Sequence, residues 1–484
     1  MTQRQQLTLV AAILGSALVS VDSSIVSVAL PAIERDLGGG LAAQQWISNA
    51  YLLPLGSLIL IGGSLGDIYG ERRIFTLGIA GFGIFSFACA LAPTAGALIV
   101  ARAAQGVAAA LITPSSLAII VSAFTAKERG AAIGSWTAWG GIASIVGPLA
   151  GGLIVDQSSW RWIFALNIPL VVGTLLLVRA AVPASVRMSG RRVDVVGAFF
   201  GAAALAGIVF ALIEQPHYGW GSAVIIAPLV GGLACAVLFV VYERRAPEPM
   251  LQLDLFSHRN FAIGNVETLF MYAGLGIFFF YLTIYVQQVA GYTALQAGLA
   301  TAPVTVVMFA LSRRFGALAD RLGPRLFMGA GPLVAAAGLL PLLRIGEHVS
   351  YLTELLPGVL VFSLGLTLTV APLTATVLAD ADEGDAGIAS AVNNAVARIA
   401  GLIGVSVVGV VVAKTLVGDT FAANADSVRA FHEVTAACVV LLVAGGVAGA
   451  IGIVNPRKPA DAEGCSGGQL FGTPRPAAVA AGDV

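Results

Sequence analysis

Fourteen stretches of this chain are long and apolar enough to cross a lipid bilayer, and that pattern leaves few folds open. A crossing helix needs about 20 mostly apolar residues, with roughly 17 to 25 the usual range. Such runs, separated by charges or by proline and glycine, lie near residues 7–30, 44–66, 74–93, 95–123, 130–155, 160–182, 194–213, 221–242, 261–288, 294–312, 326–344, 350–378, 386–413 and 433–454. In hydrocarbon every backbone N–H and C=O must be satisfied inside the structure, so runs of this length predict helices. The composition agrees, because 58% of the residues are hydrophobic and only 11% charged, outside the range of soluble domains. The chain reads as an all-α polytopic membrane protein. Its first run has no small-residue cleavage site after a short apolar core and carries Asp22 in its middle, which suits a retained helix. The 58 glycines allow close helix packing.

A net charge of zero conceals an asymmetry. Basic residues collect in alternate loops, around Arg72 and Arg73, Lys127 and Arg129, Arg179 to Arg192, Arg244 to Arg259, and Arg313 to Arg325. By the positive-inside rule that side is cytoplasmic, and an even number of spans puts both termini there. The loop ADADEGDAG at 379–387 falls on the same side although acidic, and acidic residues count little in this rule. Cys89, Cys235, Cys438 and Cys465 are scattered, which predicts neither a disulfide framework nor a metal cluster. His217, His258, His348 and His432 sit in loops or at helix ends, so no metal site or histidine-based catalytic residue is expected. The last thirty residues, rich in Pro, Gly and Ala, predict a disordered tail.

Two distant loops share one pattern. GSLGDIYGER at 63–72 follows the second span and GALADRLGPR at 316–325 follows the tenth. Gly63, Leu65, Asp67, Gly70 and Arg72 recur as Gly316, Leu318, Asp320, Gly323 and Arg325, each 253 positions later. ERGAAIGS at 128–135 and EGDAGIAS at 383–390 form a second pair, offset by 255. Nearly equal offsets predict that spans 1 to 6 and 9 to 14 are parallel copies around an inserted pair, the sign of a transporter built from two rocking halves. The expected divisions are 1–186 for the first half, 187–258 for the inserted pair with its linkers, 259–455 for the second half and 456–484 for a cytoplasmic tail.

GSLGDIYGERR resembles the cytoplasmic loop signature of the major facilitator superfamily. ALIVARAAQGVAAALITP at 97–114 resembles its fourth-helix motif, with Arg102, and GIASIVGPLAGG at 141–152 its fifth-helix antiporter motif. With VDSSIVSVALP in the first span, SWRWIFALNIP at 159–169 and the inserted pair, nearly the whole chain is similar to the fourteen-helix drug:proton antiporters. Where that family has a threonine after the first-helix aspartate, Ser23 and Ser24 stand here. The resemblance implies the major facilitator fold, two six-helix halves plus two inserted central helices, and proton-coupled export of lipophilic or cationic drugs. It also implies no cofactor other than the proton as coupling ion.

A mid-span aspartate is usually structural glue or part of a transport route, since a charge at the bilayer centre costs roughly 2.5 to 3.5 kcal/mol on insertion scales. Burial disfavours the charged form, so Asp22 reads as a proton carrier or else as a permanently hydrogen-bonded seam residue. At about 100° per residue Ser16, Ser20, Ser23 and Ser27 form one stripe, with Asp22 roughly 120° away, which predicts that the serines pack on a neighbouring helix. Arg102 shares a small-residue face with Gly106, Ala109 and Thr113. It needs acceptors because it cannot lose its proton, and both a coupling role, implied by the family, and a structural hub fit it. Glu267, after Asn265 in the ninth span, is expected on a central helix as a second coupling carboxylate, with snorkelling to the interface as the other reading.

Asp67 and Asp320, near helix starts whose dipoles favour anions, join Gly63, Gly70, Arg72, Arg73 and Arg325 as expected gates, the alternative being tight turns that set topology. Arg398, four residues after Asn394, is expected to fix helix contacts at the inner gate. Gly140, Ser144, Gly147 and Gly151, with Gly152 and a bend at Pro148, mark a pivot in the fifth span. Gln45, Asn49, Asn265, Met271, Phe278 and Asn394 are the expected substrate lining, in an apolar cavity suited to amphipathic organic molecules.

The expected partners are therefore a small-molecule substrate, protons and the lipid bilayer, with no nucleic acid, for a monomer in the cell membrane. Export of one endogenous metabolite, lipid or siderophore, or nutrient import, fits the same fold. A membrane-embedded enzyme would need a nucleophile and base or a metal cluster in the spans. A sensor would usually carry a soluble domain, whereas every loop here is short.

Overall fold

The computed structural model describes residues 1–455 except 184–192, 248, 380–385 and 417–420. Part of the basic linker near Arg192, with the 186/187 division, most of the acidic loop 379–387, and the tail with Cys465 lie outside the described residues. The helices are α1 (Gln3–Leu37), α2 (Gly40–Tyr69), α3 (Glu71–Ala90), α4 (Ala95–Ala123), α5 (Ala126–Gln157), α6 (Arg161–Ala165), α7 (Asn167–Ala181), α8 (Val195–Tyr218) and α9 (Ala223–Glu243). They continue as α10 (Arg259–Gln288), α11 (Ala294–Leu322), α12 (Pro324–Leu339), α13 (Leu356–Ala379), α14 (Ala386–Val412) and α15 (Ala425–Gly452). Among the described residues these make fourteen candidate membrane spans, α6 and α7 forming one together.

Several helices run well past their apolar runs, because hydropathy marks the hydrocarbon layer and end chemistry marks the helix. A capping box starts α1, where the Thr2 side chain takes the Gln5 N–H and the Gln5 side chain takes the Thr2 N–H. Thr293 and Gln296 start α11 in the same way. At its far end α11 continues through Arg313, Arg314 and Asp320 to Leu322, about three turns beyond residue 312. The basic loops set one face of the bundle, called here the basic face.

Helix pairing repeats along the chain. In the first set α2 packs on α4, α3 on α4 and α7, and α1 on α5 and α7. In the second α11 packs on α13, α12 on α13 and α15, and α10 on α14 and α15. Between the sets α2 meets α14 and α5 meets α11, while α8 and α9 pack on each other and touch α2 and α14 through α8. Trp46 of α2 donates to Glu214 of α8 at 2.7 Å across that contact.

The repeated loops have repeated geometry. Gly70 and Gly323 close α2 and α11 with φ of 94° and 90°, a conformation that favours glycine. Arg72 then donates to the carbonyl of Arg179 at the end of α7 at 3.3 Å, and Arg325 to that of Ala450 near the end of α15 at 2.6 Å. Asp67 and Asp320 lie in the last turns of α2 and α11, the ends their own dipoles make negative; the helix starts near them are those of α3 and α12. Arg73 is exposed.

The sets adhere at the face opposite the basic loops. The largest apolar core joins Leu30 and Ile33 at the end of α1 to Tyr281 and Tyr285 of α10, Val408 of α14 and Phe431 of α15. Asp156, in the last turn of α5, accepts both the Ala294 and Leu295 N–H groups at the start of α11, each at 2.9 Å. Gln287 donates to the Val28 carbonyl at 3.1 Å. Toward the basic face the contact loosens, and β-carbons at Gly130, Gly134, Gly140 and Gly141 of α5 would meet nothing within 4 Å.

Candidate functional site

Asp22 is fully buried, and it faces the helices of its own set. Arg102 of α4, 1% exposed, donates to Asp22 Oδ2 and at 2.8 Å to Gln105 Oε1. Its Nε donates to the Ile47 carbonyl of α2 at 3.3 Å, and its guanidinium lies 4.1 Å from the Tyr51 ring centre. Asp22 Oδ1 accepts from Gln105 at 2.9 Å and from Asn167 of α7 at 3.0 Å. Asn167 also donates to Ser86 of α3 at 2.9 Å. The carboxylate therefore ties α1 to α4 and α7, with both charges compensated inside the bundle. Small residues let the helices close around it: a β-carbon at Gly106 would collide with the Tyr51 backbone and Pro54 of α2.

Gln105, Asn167, Ser86 and Tyr51 are site residues that sequence reasoning missed. Gln105 and Asn167 lie inside the quoted motif stretches, and Gln105 stands one helical turn after Arg102, which was the available signal.

The serine stripe is a correction. Ser23 is exposed and Ser16, Ser20 and Ser27 are half-buried, so the stripe is the open side of α1 and Asp22 the packed side. Packing falls instead to Ser24, where Gly147 of α5 leaves room for it, and to Ile25 and Val28, which meet Gly151. Pro148 and Gly152 turn the other way. A β-carbon at Gly152 would lie 2.5 Å from Leu295 Cα, and one at Gly298 would lie 2.7 Å from the Pro148 carbonyl. The antiporter motif thus seats α5 on α1 and α11 together, apart from Gly140, which has open space beside it.

Glu267 is fully buried too, with neither carboxylate oxygen hydrogen-bonded. It lies beside Gly449 of α15, where an added β-carbon would be 2.7 Å from Glu267 Oε2 and 2.6 Å from the Met328 carbonyl of α12. The structure does not bring it to Asp22. Met271 packs near Gly445, and Phe278 tilts on Phe362 of α13 with ring centres 4.6 Å apart. Asn265 is buried and accepts from Asn393 at 3.2 Å.

Gln45 and Asn49 are buried in the contact between the sets. Gln45 donates to the Val405 carbonyl of α14 at 2.6 Å, and Asn49 to Ser406 Oγ at 2.9 Å. Deeper toward the basic face lies a cavity of about 360 Å³, bounded by Tyr272 of α10, Thr374, Val377 and Leu378 of α13, and Ser390, Asn393, Asn394 and Arg398 of α14. Asn394 returns its amide to the Ser390 carbonyl at 3.1 Å and makes no bond to Arg398.

The family model of the Major Facilitator Superfamily matches residues 12–194 and 185–405. The puromycin resistance protein of Streptomyces alboniger is 36% identical over 404 residues, covering 81% of this chain and 79% of that protein. Multidrug resistance protein Stp of Mycobacterium tuberculosis is 36% identical over 419 residues, covering 86% and 77%. The tetracenomycin C resistance and export protein of Streptomyces glaucescens is 33% identical over 428 residues, covering 86% and 77%. Among solved structures, a bacterial homologue of the lysosomal transporter Spinster, inward-facing and unoccupied, aligns with a TM-score of 0.68 at 15% identity, covering 93% of this chain and 97% of that one. The fold is that of these transporters, and the sequence match carries the relationship: this chain, a multi-pass membrane protein, belongs to the Major Facilitator Superfamily.

Proposed function

We propose that the chain is a proton-coupled secondary active transporter of the cell membrane that exports lipophilic or cationic drugs and similar small molecules by alternating access. In this reading it works as a monomer with both termini cytoplasmic, its two halves being α1–α7 and α10–α15 with α8 and α9 inserted. The buried network around Asp22 carries the proposal. Arginine keeps its proton, so Asp22 is the member of the pair whose charge can change. A proton on Asp22 ends the ion pair and turns one acceptor into a donor. On Oδ2 the proton displaces the Arg102 N–H, and on Oδ1 it displaces Asn167 or Gln105, so α1 loosens from α4 or α7. Proton uptake is thereby coupled to packing inside one half. Arg102, with its second acceptor on α2, holds the neighbouring helices together meanwhile.

The cycle starts from the state described, closed opposite the basic face. Substrate enters from the cytoplasm into the space beside α14, the halves rock, and Gln45 and Asn49 part from α14 to open the far side, where they become available to substrate. Asp156, Pro148 and Gly152 release α11 in the same motion, while the loops around Gly63, Asp67, Arg72, Arg73, Asp320 and Arg325 close the cytoplasmic side. Glu267 serves as a second proton site within the other half.

The direct test is Asp22→Asn in everted vesicles. Export driven by a pH gradient should fall at least about tenfold while the protein still binds its substrates; unchanged gradient-driven export would remove Asp22 from the coupling role. Export of a single endogenous compound is the second reading, favoured by relatives whose names give one compound, puromycin or tetracenomycin C.

A further inference from the structure

Arg398 is the one arginine that lines this cavity, and among the described residues no carboxylate pairs with it. It lies at the middle of α14, where its Cβ is 3.6 Å from the position a β-carbon would take at Gly56 of α2, so it faces the seam between the two sets. Its Nε is buried without a hydrogen-bond partner, and none of the hydrogen bonds or ion pairs among the described residues includes its guanidinium. The ionisable groups near enough to act on it are two phenols, Tyr51 and Tyr272. The three buried carboxylates of the described spans lie elsewhere: Asp22 pairs with Arg102, Glu243 at the end of α9 accepts the Leu251 N–H, and Glu267 sits beside Gly449 of α15.

Arg398 is half-buried, its Nε enclosed and the residue on the cavity wall. A guanidinium cannot shed its proton, so partial shielding without a counter-charge carries a cost that an anion entering the cavity would relieve. The surroundings suit an anion. Asn394 keeps one amide hydrogen beyond its bond to the Ser390 carbonyl, Ser390 carries a hydroxyl and Tyr272 a phenol, whereas Asn393 gives its amide to Asn265 and Thr268 and Thr374 its hydroxyl to the Val370 carbonyl; Val377 and Leu378 form an apolar wall. Ser390, Asn394 and Arg398 stand four residues apart along one face of α14, so Asn394 and Arg398, one turn apart, can reach one acidic group while the wall takes a hydrocarbon frame. The volume of about 360 Å³ accepts a small aromatic or polycyclic acid.

We propose that Arg398 is a substrate-binding residue, and that the preferred substrates are lipophilic compounds bearing an acidic group, such as a carboxylate, which pairs with its guanidinium. The assignment rests on the exporter reading and narrows it: a cationic compound in this cavity would set two like charges together in a low-dielectric site, whereas an anion removes the charge imbalance. An anionic lipid headgroup offers the same chemistry, and the experiment separates the two sources.

Three compounds with one ring system serve as probes: 2-naphthoate, its methyl ester and 2-naphthylmethylammonium. Stabilisation of the purified full-length protein against heat is titrated with each in a non-ionic detergent, for the natural chain, Arg398→Gln and Arg398→Lys. We expect naphthoate to act at concentrations about tenfold lower than the ester or the ammonium. Arg398→Gln should erase that advantage and leave the ester within about threefold of its original value, while Arg398→Lys restores part of the advantage. The comparison among the three probes on the natural chain needs no variant, so it stands even where Arg398→Gln fails to fold. The proposal is overturned if naphthoate gives no stabilisation, if the ester or ammonium equals it, or if a cooperatively melting Arg398→Gln protein keeps the preference. It is also overturned if phosphatidylglycerol alone stabilises through Arg398 and naphthoate does not. Uptake into everted vesicles tests the parent reading separately. Binding of naphthoate through Arg398, with neither it nor a panel of drugs transported, would end the exporter reading and keep the anion site. Transport of drugs without naphthoate binding would do the reverse.

Discussion

Arg102 reaches acceptors on three helices, Asp22 on α1, Ile47 on α2 and Gln105 on α4, and its guanidinium stacks on Tyr51. Removing one partner of such a buried pair leaves the other charge uncompensated, a loss of about 3–5 kcal/mol. Arg102→Ala should therefore lower the melting temperature of the purified protein strongly, and adding Asp22→Asn to it should recover a large part of the loss, because the orphaned charge is then gone. A double variant no more stable than Arg102→Ala would mean that the network's neutral hydrogen bonds, not its charges, hold α1 in place. The two charged members are legible in the sequence, since a charge inside an apolar run stands out. Their neutral partners are harder to read: Gln105 is marked only by standing one turn from Arg102, Asn167 by nothing in its spacing, and which way a helix turns its polar side is decided by neighbours far along the chain. The serine stripe of α1 shows the same gap, because small hydroxyls suit a packed seam and an open cavity face equally well, and here the face is open.

At the scale of elements, α5 carries two different contacts. Gly147 and Gly151 seat it on α1 inside one set, while Pro148 and Gly152 seat it on α11 of the other. The regular glycine spacing is visible in the sequence, but a spacing names a close approach without naming the partner. Gly152 lies where the two helix sets meet opposite the basic face, and a β-carbon there would press into the Leu295 backbone. Gly152→Val should fold normally within its own half and hold α5 away from α11, at an overpacking cost of about 1–3 kcal/mol paid by the closed state alone. The measurable result is a rise in thiol labelling of a cysteine placed at Gln45, by tenfold or more for about 1.4 kcal/mol of bias, together with loss of transport. Labelling equal to that of the same cysteine in the natural background would show that this contact does not close the far side. The repeated loops illustrate the reverse case. Gly70 and Gly323 are readable from the sequence alone because the left-handed turn each makes is a local demand on a glycine, met at both ends of one offset.

For the whole molecule, the number of spans and the repeat are legible because both are written in composition and local motifs, whereas the state of the bundle is not: nothing in an apolar run says which ends of two helix sets touch. The structure has them touching opposite the basic face, through the Asp156 carboxylate on the start of α11, the Gln45 and Asn49 amides on α14, and Gln288 facing Glu34 at 3.5 Å. If transport proceeds by rocking, those contacts must break once per cycle. Joining α1 to α10 there should trap the bundle in the state described. Cysteines at Glu34 and Gln288, in a chain whose four natural cysteines are replaced, can be bridged by a short bis-maleimide with a cleavable disulfide at its centre. The bridged protein should keep its affinity for substrate offered from the basic face, since the cavity beside Arg398 lies away from the bridge, and lose essentially all transport. Reduction of the linker should return the rate of the unbridged double-cysteine protein. A pore or a mechanism confined to local side-chain motion needs no separation of α1 from α10, and for either one the bridged and reduced proteins would transport at the same rate.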